Sequence, residues 1–178
     1  MVFFLRLGRC RNIVLPSHQR GQIERAFSFN INHALKKAEE GESFRELAEK
    51  PVQILQGIGP KHAEELEALG LKTIQQLADY KFFHLARTVT VLAETEEENF
   101  ERDADATKMN LFKGIDKEFQ SSSLNELVKL PVHALKGIAP DTGGKALKLL
   151  GVKTIADLAE FKYCRWSEAI VAAAKFEN

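Results

Sequence analysis

Apolar side chains along this chain recur every three or four residues, which is the spacing of a helix with one buried face. In the segment KHAEELEAL, residues 61–69, this apolar stripe is formed by Ala63, Leu66 and Leu69. No run of alternating apolar and polar residues is long enough to predict a strand. The pattern therefore predicts an all-α fold.

Capping signals mark the starts of several predicted helices. A serine or threonine is followed three residues later by a glutamate, glutamine or aspartate, the spacing at which each side chain caps the other residue's backbone amide. Four such pairs predict four helix starts: Ser43 with Glu46, Thr73 with Gln76, Ser123 with Glu126, and Thr154 with Asp157. Further helices are predicted for HALKKAEEG at 33–41, VQILQ at 52–56, FFHLARTVTVLAETEEE at 82–98 and RWSEAIVAAAKFEN at 165–178.

The order of these signals occurs twice. The two pairs of matching segments are LAEKPVQILQGIGP at 47–60 with LVKLPVHALKGIAP at 127–140, and LGLKTIQQLADYKFF at 69–83 with LGVKTIADLAEFKYC at 150–164. The offset between equivalent positions increases by one after Pro140, so the second copy has one extra residue between Pro140 and Lys145. A repeat of this kind indicates duplication of a small folding unit.

The repeat and the charge distribution divide the chain into four segments. These are an N-terminal segment at 1–27, a first unit at 28–93, an acidic linker or helix extension at 94–108, and a second unit at 109–178. Within the third segment, ETEEENFERDAD carries seven acids and one arginine. Such a run is typical of a solvated helix end or a linker, and a docking strip for a basic partner is the alternative.

The N-terminal segment has the composition of a targeting sequence. Residues 1–27 contain five arginines and one acid, and an arginine-rich, acid-poor amphipathic stretch is typical of a mitochondrial transit peptide. The sequence RAFS at 25–28 resembles a mitochondrial processing site, which would leave Ser28 at the new N-terminus. We therefore expect a protein of the mitochondrial matrix or of the matrix side of the inner membrane. A plastid address and a disordered basic tail are the alternatives.

Composition argues against several other classes of protein. No apolar run approaches the roughly 18 residues of a transmembrane helix, and 28% of the residues are charged. Cys10 and Cys164 lie far apart and the five histidines are scattered, so neither a disulfide framework nor a zinc motif is predicted. No nucleophile and base have the arrangement needed for covalent catalysis. We therefore predict a protein that is not an enzyme, with no catalytic residue, cofactor or metal.

The sequence GIGPKHA at 57–63 resembles the hairpin of the helix-hairpin-helix family, and LGLKTIQQLA downstream strengthens the resemblance. The resemblance implies two tandem helix-hairpin-helix-like units, the second with the degenerate hairpin GIAPDTGG. It also implies candidate phosphate or nucleic-acid contacts at Gly57, Gly59 and Lys61, where glycines and helix-start amides approach an anion. Ile58 and Ile138 would fill the hairpin cores. Gly57 and its counterpart in the second turn are expected to have positive φ.

Three features make nucleic acid the less favoured partner. The helix after the first turn carries Glu64, Glu65 and Glu67, and the second turn has Ala139 and Asp141 where the family has glycine and lysine. Without the N-terminal segment the chain has 20 basic and 24 acidic side chains, a net charge of −4. Domains that bind nucleic acid normally present a basic face, because phosphate neutralisation supplies much of their affinity.

These observations predict a non-enzymatic accessory or structural subunit of a large mitochondrial assembly. A respiratory-chain complex and the ATP synthase are the expected assemblies, and other protein subunits are the expected partners. Duplicated helical units give extended, rigid surfaces for such contacts. The alternative is a nucleic-acid-binding protein of the mitochondrial nucleoid or ribosome that uses the first hairpin on phosphates.

Overall fold

Short helices joined by tight turns make up residues 30–97 and 108–177, which are the residues that the computed structural model describes. The first repeat contains α1 (Phe44–Glu49), α2 (Pro60–Ala68), α3 (Ile74–Ala78) and α4 (Lys81–Ala93). The second contains α5 (Leu124–Leu127), α6 (Lys145–Leu149), α7 (Ile155–Ala159) and α8 (Lys162–Ala174). In these two ranges there are only isolated backbone bridges and no strand, so the all-α prediction is confirmed.

Residues 32–178 belong to one compact unit, and residues 1–31 are assigned to another, of which only Asn30 and Ile31 are described. The transit-like segment at 1–27 and residues 98–107 of the acidic segment lie outside the described residues.

All four predicted capping pairs are confirmed as reciprocal hydrogen bonds. In the first pair, the Glu46 amide donates to the Ser43 hydroxyl at 3.2 Å and the Ser43 amide donates to the Glu46 carboxylate at 3.0 Å. In the last pair, the amides of Thr154 and Lys153 donate to the Asp157 carboxylate, and these bonds hold the pKa of that carboxyl below its ordinary value. Local sequence therefore determines where these four helices begin.

Two of the predicted helices are wrong in type. The segment 33–41 forms only a 3-10 turn at Lys37–Glu39, and the segment 52–56 forms only a 3-10 turn at Val52–Ile54. The cause is a backbone pairing between them: the Lys36 amide donates to the Ile54 carbonyl and the Gln56 amide donates to the Ala34 carbonyl, both at 2.8 Å. This pairing uses amides and carbonyls that a helix would need for itself.

Two helix boundaries in the structure also differ from the predicted ones. The helix predicted at 82–98 ends at Ala93, and the helix predicted to start at Arg165 starts at Lys162. Pattern-based boundaries commonly miss by a few residues, because capping and packing, rather than the apolar stripe, decide the last turn.

The extra residue of the second repeat is accommodated by a π-helical turn at Pro140–Gly144. There the Gly144 amide donates to the Ala139 carbonyl, five positions back, at 2.9 Å. In the first repeat the corresponding bond joins the Ala63 amide to the Gly59 carbonyl, four positions back, at 3.0 Å. Inserting one residue into a helical turn widens it in this way. The helix that follows regains its register, so the insertion is absorbed locally.

The last helix of each repeat packs on the opposite repeat. Helix α4 packs against α5 and α7, and α8 packs against α1 and α3, while α2 and α6 contact each other. Phe83 and Val89 of α4 are fully buried, as is Cys164 of α8. Each repeat thus supplies part of the other's core, and the two repeats share one apolar interior.

In this reciprocal packing, here called the exchange of α4 and α8, each of the two helices is followed by a carboxylate that contacts the opposite repeat. The two carboxylates occupy equivalent positions. Glu177, just after α8, accepts hydrogen bonds from the amides of Phe44 and Arg45 at 2.9 and 3.0 Å. Glu96, the equivalent residue just after α4, accepts the matching bonds from the first two amides of α5 at 2.9 and 2.8 Å. Each carboxylate therefore satisfies the free amides and the positive dipole end of a helix in the other repeat.

Arg87 of α4 and Glu168 of α8 are also equivalent positions of the two repeats, and they form an ion pair with each other. The pair is half exposed, so it contributes little to stability. Its significance is that the two repeats carry opposite charges where these two side chains of their last helices meet.

Removing either carboxylate cap is expected to lower the free energy of unfolding. Glu177→Ala and Glu96→Ala should each cost about 1 kcal/mol, as for loss of an N-terminal helix cap. Urea unfolding of residues 28–178 followed by circular dichroism measures this. Glu97→Ala, at an exposed neighbouring glutamate, is the control and should change nothing measurable. Equal stability of all three variants would contradict the role given to these caps.

Candidate functional site

The first hairpin turn connects the 3-10 turn at Val52–Ile54 to α2. The Ile58 amide donates to the Leu55 carbonyl at 3.1 Å, and Gly57 has a φ of 97°, a left-handed backbone that glycine adopts without strain. Ile58 itself is 1% exposed. The turn therefore anchors one apolar side chain in the shared core.

The start of α2 is the part of this turn that could hold an anion. Gly59 is extended and precedes Pro60, and no side chain caps this helix. The amides of Lys61 and His62 lie in the first helical turn, where backbone N–H groups have no partner within the helix. Gly57, Gly59 and Lys61 thus lie on one turn, with Lys61 exposed. This is the arrangement that the resemblance implies for a phosphate contact.

Three acidic side chains of α2 follow the first hairpin turn. Glu64 and Glu67 of the same helix are exposed and Glu65 is half-buried. They place negative charge within two helical turns of the candidate anion site, which opposes a polyanion that continues past the first phosphate.

Aromatic side chains from the opposite repeat cover both turns. A Cβ atom added at Gly57 would lie 2.7 Å from the Tyr163 hydroxyl oxygen and 3.7 Å from Lys162 Nζ. A Cβ atom added at Gly137 would lie 3.3 Å from the ring of Phe82. Phe82 and Tyr163 are equivalent residues, at the starts of α4 and α8. Close packing between the repeats therefore explains why both positions are glycine, and this explanation involves no ligand.

The second turn keeps the shape of the first but not its chemistry. Gly137 has a φ of 108° and Ile138 is 4% exposed. After it come Ala139, the π-helical turn and exposed Asp141 in place of the lysine. A carboxylate at the start of a helix suits the helix dipole but disfavours a bound anion. The two turns thus share their packing and differ in their capacity to hold phosphate.

Lys162 and Tyr163 are neighbours of the first turn that sequence reasoning did not place there. Lys162 Nζ lies over the ring of Tyr163, 4.8 Å from its centroid, and in the other repeat Lys81 lies over Phe82 at 4.7 Å. The sequence does show that a lysine followed by an aromatic residue occurs at the equivalent position of both repeats. Position along a helix does not, however, reveal which turn an aromatic side chain covers.

Two buried titratable groups, Cys164 and Tyr80, are held neutral. Burial raises the pKa of the Cys164 thiol and of the Tyr80 hydroxyl, the nearby Glu168 carboxylate adding to the effect on Cys164. Cys164 is therefore a packed thiol at neutral pH rather than a thiolate nucleophile. In the described ranges, no group of three or more histidine, cysteine or acidic residues could hold a metal ion. None of the helices in those ranges is both long and apolar enough to span a membrane.

Comparisons with protein-family models, with curated proteins and with solved structures found no match to this chain.

Proposed function

We propose that this protein is a non-enzymatic accessory subunit of a large mitochondrial assembly, a respiratory-chain complex or the ATP synthase, built from two tandem helix-hairpin-helix-like units. The observation that carries the proposal is the reciprocal packing of α4 and α8, together with the aromatic cover on both hairpin turns. Packing accounts for the turn residues that both repeats share, and the exchanged helices give a rigid body suited to contacts with neighbouring subunits.

The mitochondrial address rests on the arginine-rich composition of residues 1–27 and the RAFS sequence at 25–28. A matrix or matrix-side location places the protein beside the assemblies named above. A plastid address remains the alternative location.

The test is to express the full chain with a C-terminal tag and to separate organelle extracts by native electrophoresis after mild detergent treatment. We expect the tagged chain to migrate with a large protein assembly, and to do so equally after treatment with nuclease. Migration as a free monomer would contradict the proposal. A shift to small size after nuclease treatment would instead support the alternative below.

The alternative function is nucleic-acid binding at the first hairpin, in a nucleoid or a mitochondrial ribosome. One observation favours it: the uncapped start of α2 presents free amides beside Lys61, and Lys162 of the opposite repeat lies close to the same turn. The acidic surface of α2 and the altered second turn weigh against it, because one hairpin supplies too few phosphate contacts for appreciable affinity.

A further inference from the structure

Helices α2 and α6 occupy equivalent positions in the two repeats and carry opposite charges. Glu64 of α2 is matched by Lys145 of α6, and Glu67 is matched by Lys148. The buried leucines of the two helices, Leu66 and Leu147, are equivalent and unchanged. The substitutions therefore concern the surface and not the core.

After this charge reversal, three lysines of the second repeat form no ion pair with any residue in the described ranges 30–97 and 108–177. In the first repeat, Lys72 pairs with the Glu67 carboxylate at 2.9 Å. The residue equivalent to Lys72 is Lys153, and the residue equivalent to Glu67 is Lys148. The second repeat therefore cannot form the matching ion pair. Among the residues that the structure describes, neither of these lysines nor Lys145 has a carboxylate within 4.0 Å. Three like charges that form no ion pair with a described carboxylate repel one another, so this surface gains from an anionic partner.

The three lysines line one groove of about 680 Å³, here called the lysine groove. Val132 and Val152 are buried beneath it and Pro131 and Pro140 contribute apolar walls. Asp141 also borders the groove, and the Asp157 carboxylate is close enough to Lys153 for electrostatic interaction. The groove is thus a short basic surface with an apolar base.

These features favour an acidic protein segment over a nucleic acid. Nucleic-acid affinity depends on many phosphate contacts along a continuous basic surface, whereas this groove is short and has a carboxylate on its border. An extended peptide can place carboxylates on the lysines and apolar side chains against the half-buried Pro131 and the exposed Pro140, as in a typical interface with an apolar centre and a polar rim.

We propose that the lysine groove binds an acidic segment of a neighbouring protein subunit, which forms ion pairs with Lys145, Lys148 and Lys153. The first repeat, where the same groove positions carry the Lys72–Glu67 pair, does not bind it. This inference rests on the proposed function, because it names the surface through which the accessory subunit contacts its assembly.

The first experiment reverses the three charges. The combined variant Lys145→Glu, Lys148→Glu and Lys153→Glu is compared with a control of equal charge change at exposed lysines of the same repeat, Lys113→Glu, Lys117→Glu and Lys129→Glu. Circular dichroism checks that both variants are folded. On native electrophoresis of organelle extracts, the fraction of the groove variant that migrates with the assembly should fall about tenfold or more, while the control resembles the wild type.

The possible outcomes separate the two proposals. If the wild type does not migrate with an assembly, the proposed function is wrong and this inference fails with it. If the wild type, the control and the groove variant all assemble equally, the proposed function stands and the lysine groove is not the contact surface. Equal loss in the groove variant and the control also overturns the inference, because general charge would then explain it.

The second experiment identifies the occupant. A photo-crosslinking amino acid is placed at Lys148, and in a separate chain at the equivalent Glu67, and the crosslinked products are identified by mass spectrometry. We expect Lys148 to capture a segment of another subunit that is rich in aspartate and glutamate, and Glu67 not to capture it. Capture of RNA, of lipid or of a segment without acidic residues at Lys148 would overturn the inference, as would the same product from both positions.

Discussion

Replacing Ile58 by aspartate is expected to unfold both repeats in one step. Ile58 is 1% exposed beneath the first turn, and a carboxylate forced into an apolar interior without a partner costs about 4 kcal/mol or more. That loss approaches the whole stability of a typical domain, which is about 5–15 kcal/mol. Because α4 and α8 are exchanged, the second repeat cannot keep its core when the first is lost.

Thermal melting of residues 28–178, followed by circular dichroism, measures this effect. Ile58→Val is the conservative control and should cost about 1 kcal/mol. Gln56→Asp introduces the same charge at an exposed position of the same segment and should stay within about 0.5 kcal/mol of the wild type. An Ile58→Asp variant that melts within about one degree of the wild type would contradict the description of this turn.

Neither repeat is expected to fold when the chain is divided between them. Residues 28–107 alone would leave the buried face of α4 without α5 and α7, and residues 108–178 alone would leave α8 without α1 and α3. We expect each half to show little helix by circular dichroism, and an equimolar mixture to regain the helical signal and the cooperative melting of the intact chain. A single half that is helical and melts cooperatively as a monomer would contradict the exchange.

Homodimers of either half are disfavoured by the charges at equivalent positions. Exchange between two copies of the first half would bring two Arg87 side chains together, and between two copies of the second half two Glu168 side chains, in place of the ion pair that they form in the intact chain. Because the pair is half exposed, its charges bias the pairing only slightly, and sedimentation of the equimolar mixture should show the one-to-one complex in excess over either homodimer.

Local features of this fold could be predicted from the sequence because they depend on neighbouring residues. Each capping pair, such as Ser43 with Glu46, needs only a hydroxyl and an acid or amide three positions apart. The left-handed backbone at Gly57 follows from the turn itself. The position of the insertion after Pro140 follows from the change of offset between the repeats, although the offset does not reveal that a π-helical turn absorbs it.

The exchange of α4 and α8 could not be predicted, because an apolar stripe shows that a helix has a buried face but not which helices cover it. For the same reason the sequence does not show that Phe82 and Tyr163 contact the turns of the opposite repeat. The 3-10 turn at Lys37–Glu39 was missed because a non-local backbone pairing with residues 54–56 overrides local helix propensity.

In the candidate site, too, the sequence predicts which neighbouring residues share a turn but not which distant residues contact them. The sequence places Gly57, Gly59 and Lys61 on one turn, since they are adjacent along the chain. The approach of Tyr163 and Lys162 to that turn required the structure. The lysine groove was hidden for a different reason: the replacement of Glu67 by Lys148 is visible in the repeat, but whether those lysines find counter-charges depends on the fold.

Nucleic-acid affinity of residues 28–178 is the measurement that most directly tests whether the hairpin turns serve packing rather than phosphate binding. Fluorescence anisotropy with single-stranded and duplex oligonucleotides near physiological salt should detect no saturable binding at micromolar protein. Residues 1–27 must be absent, since their five arginines alone can bind a polyanion. Micromolar or tighter binding that is lost on Lys61→Glu, with a salt slope lower by about one unit, would contradict this account.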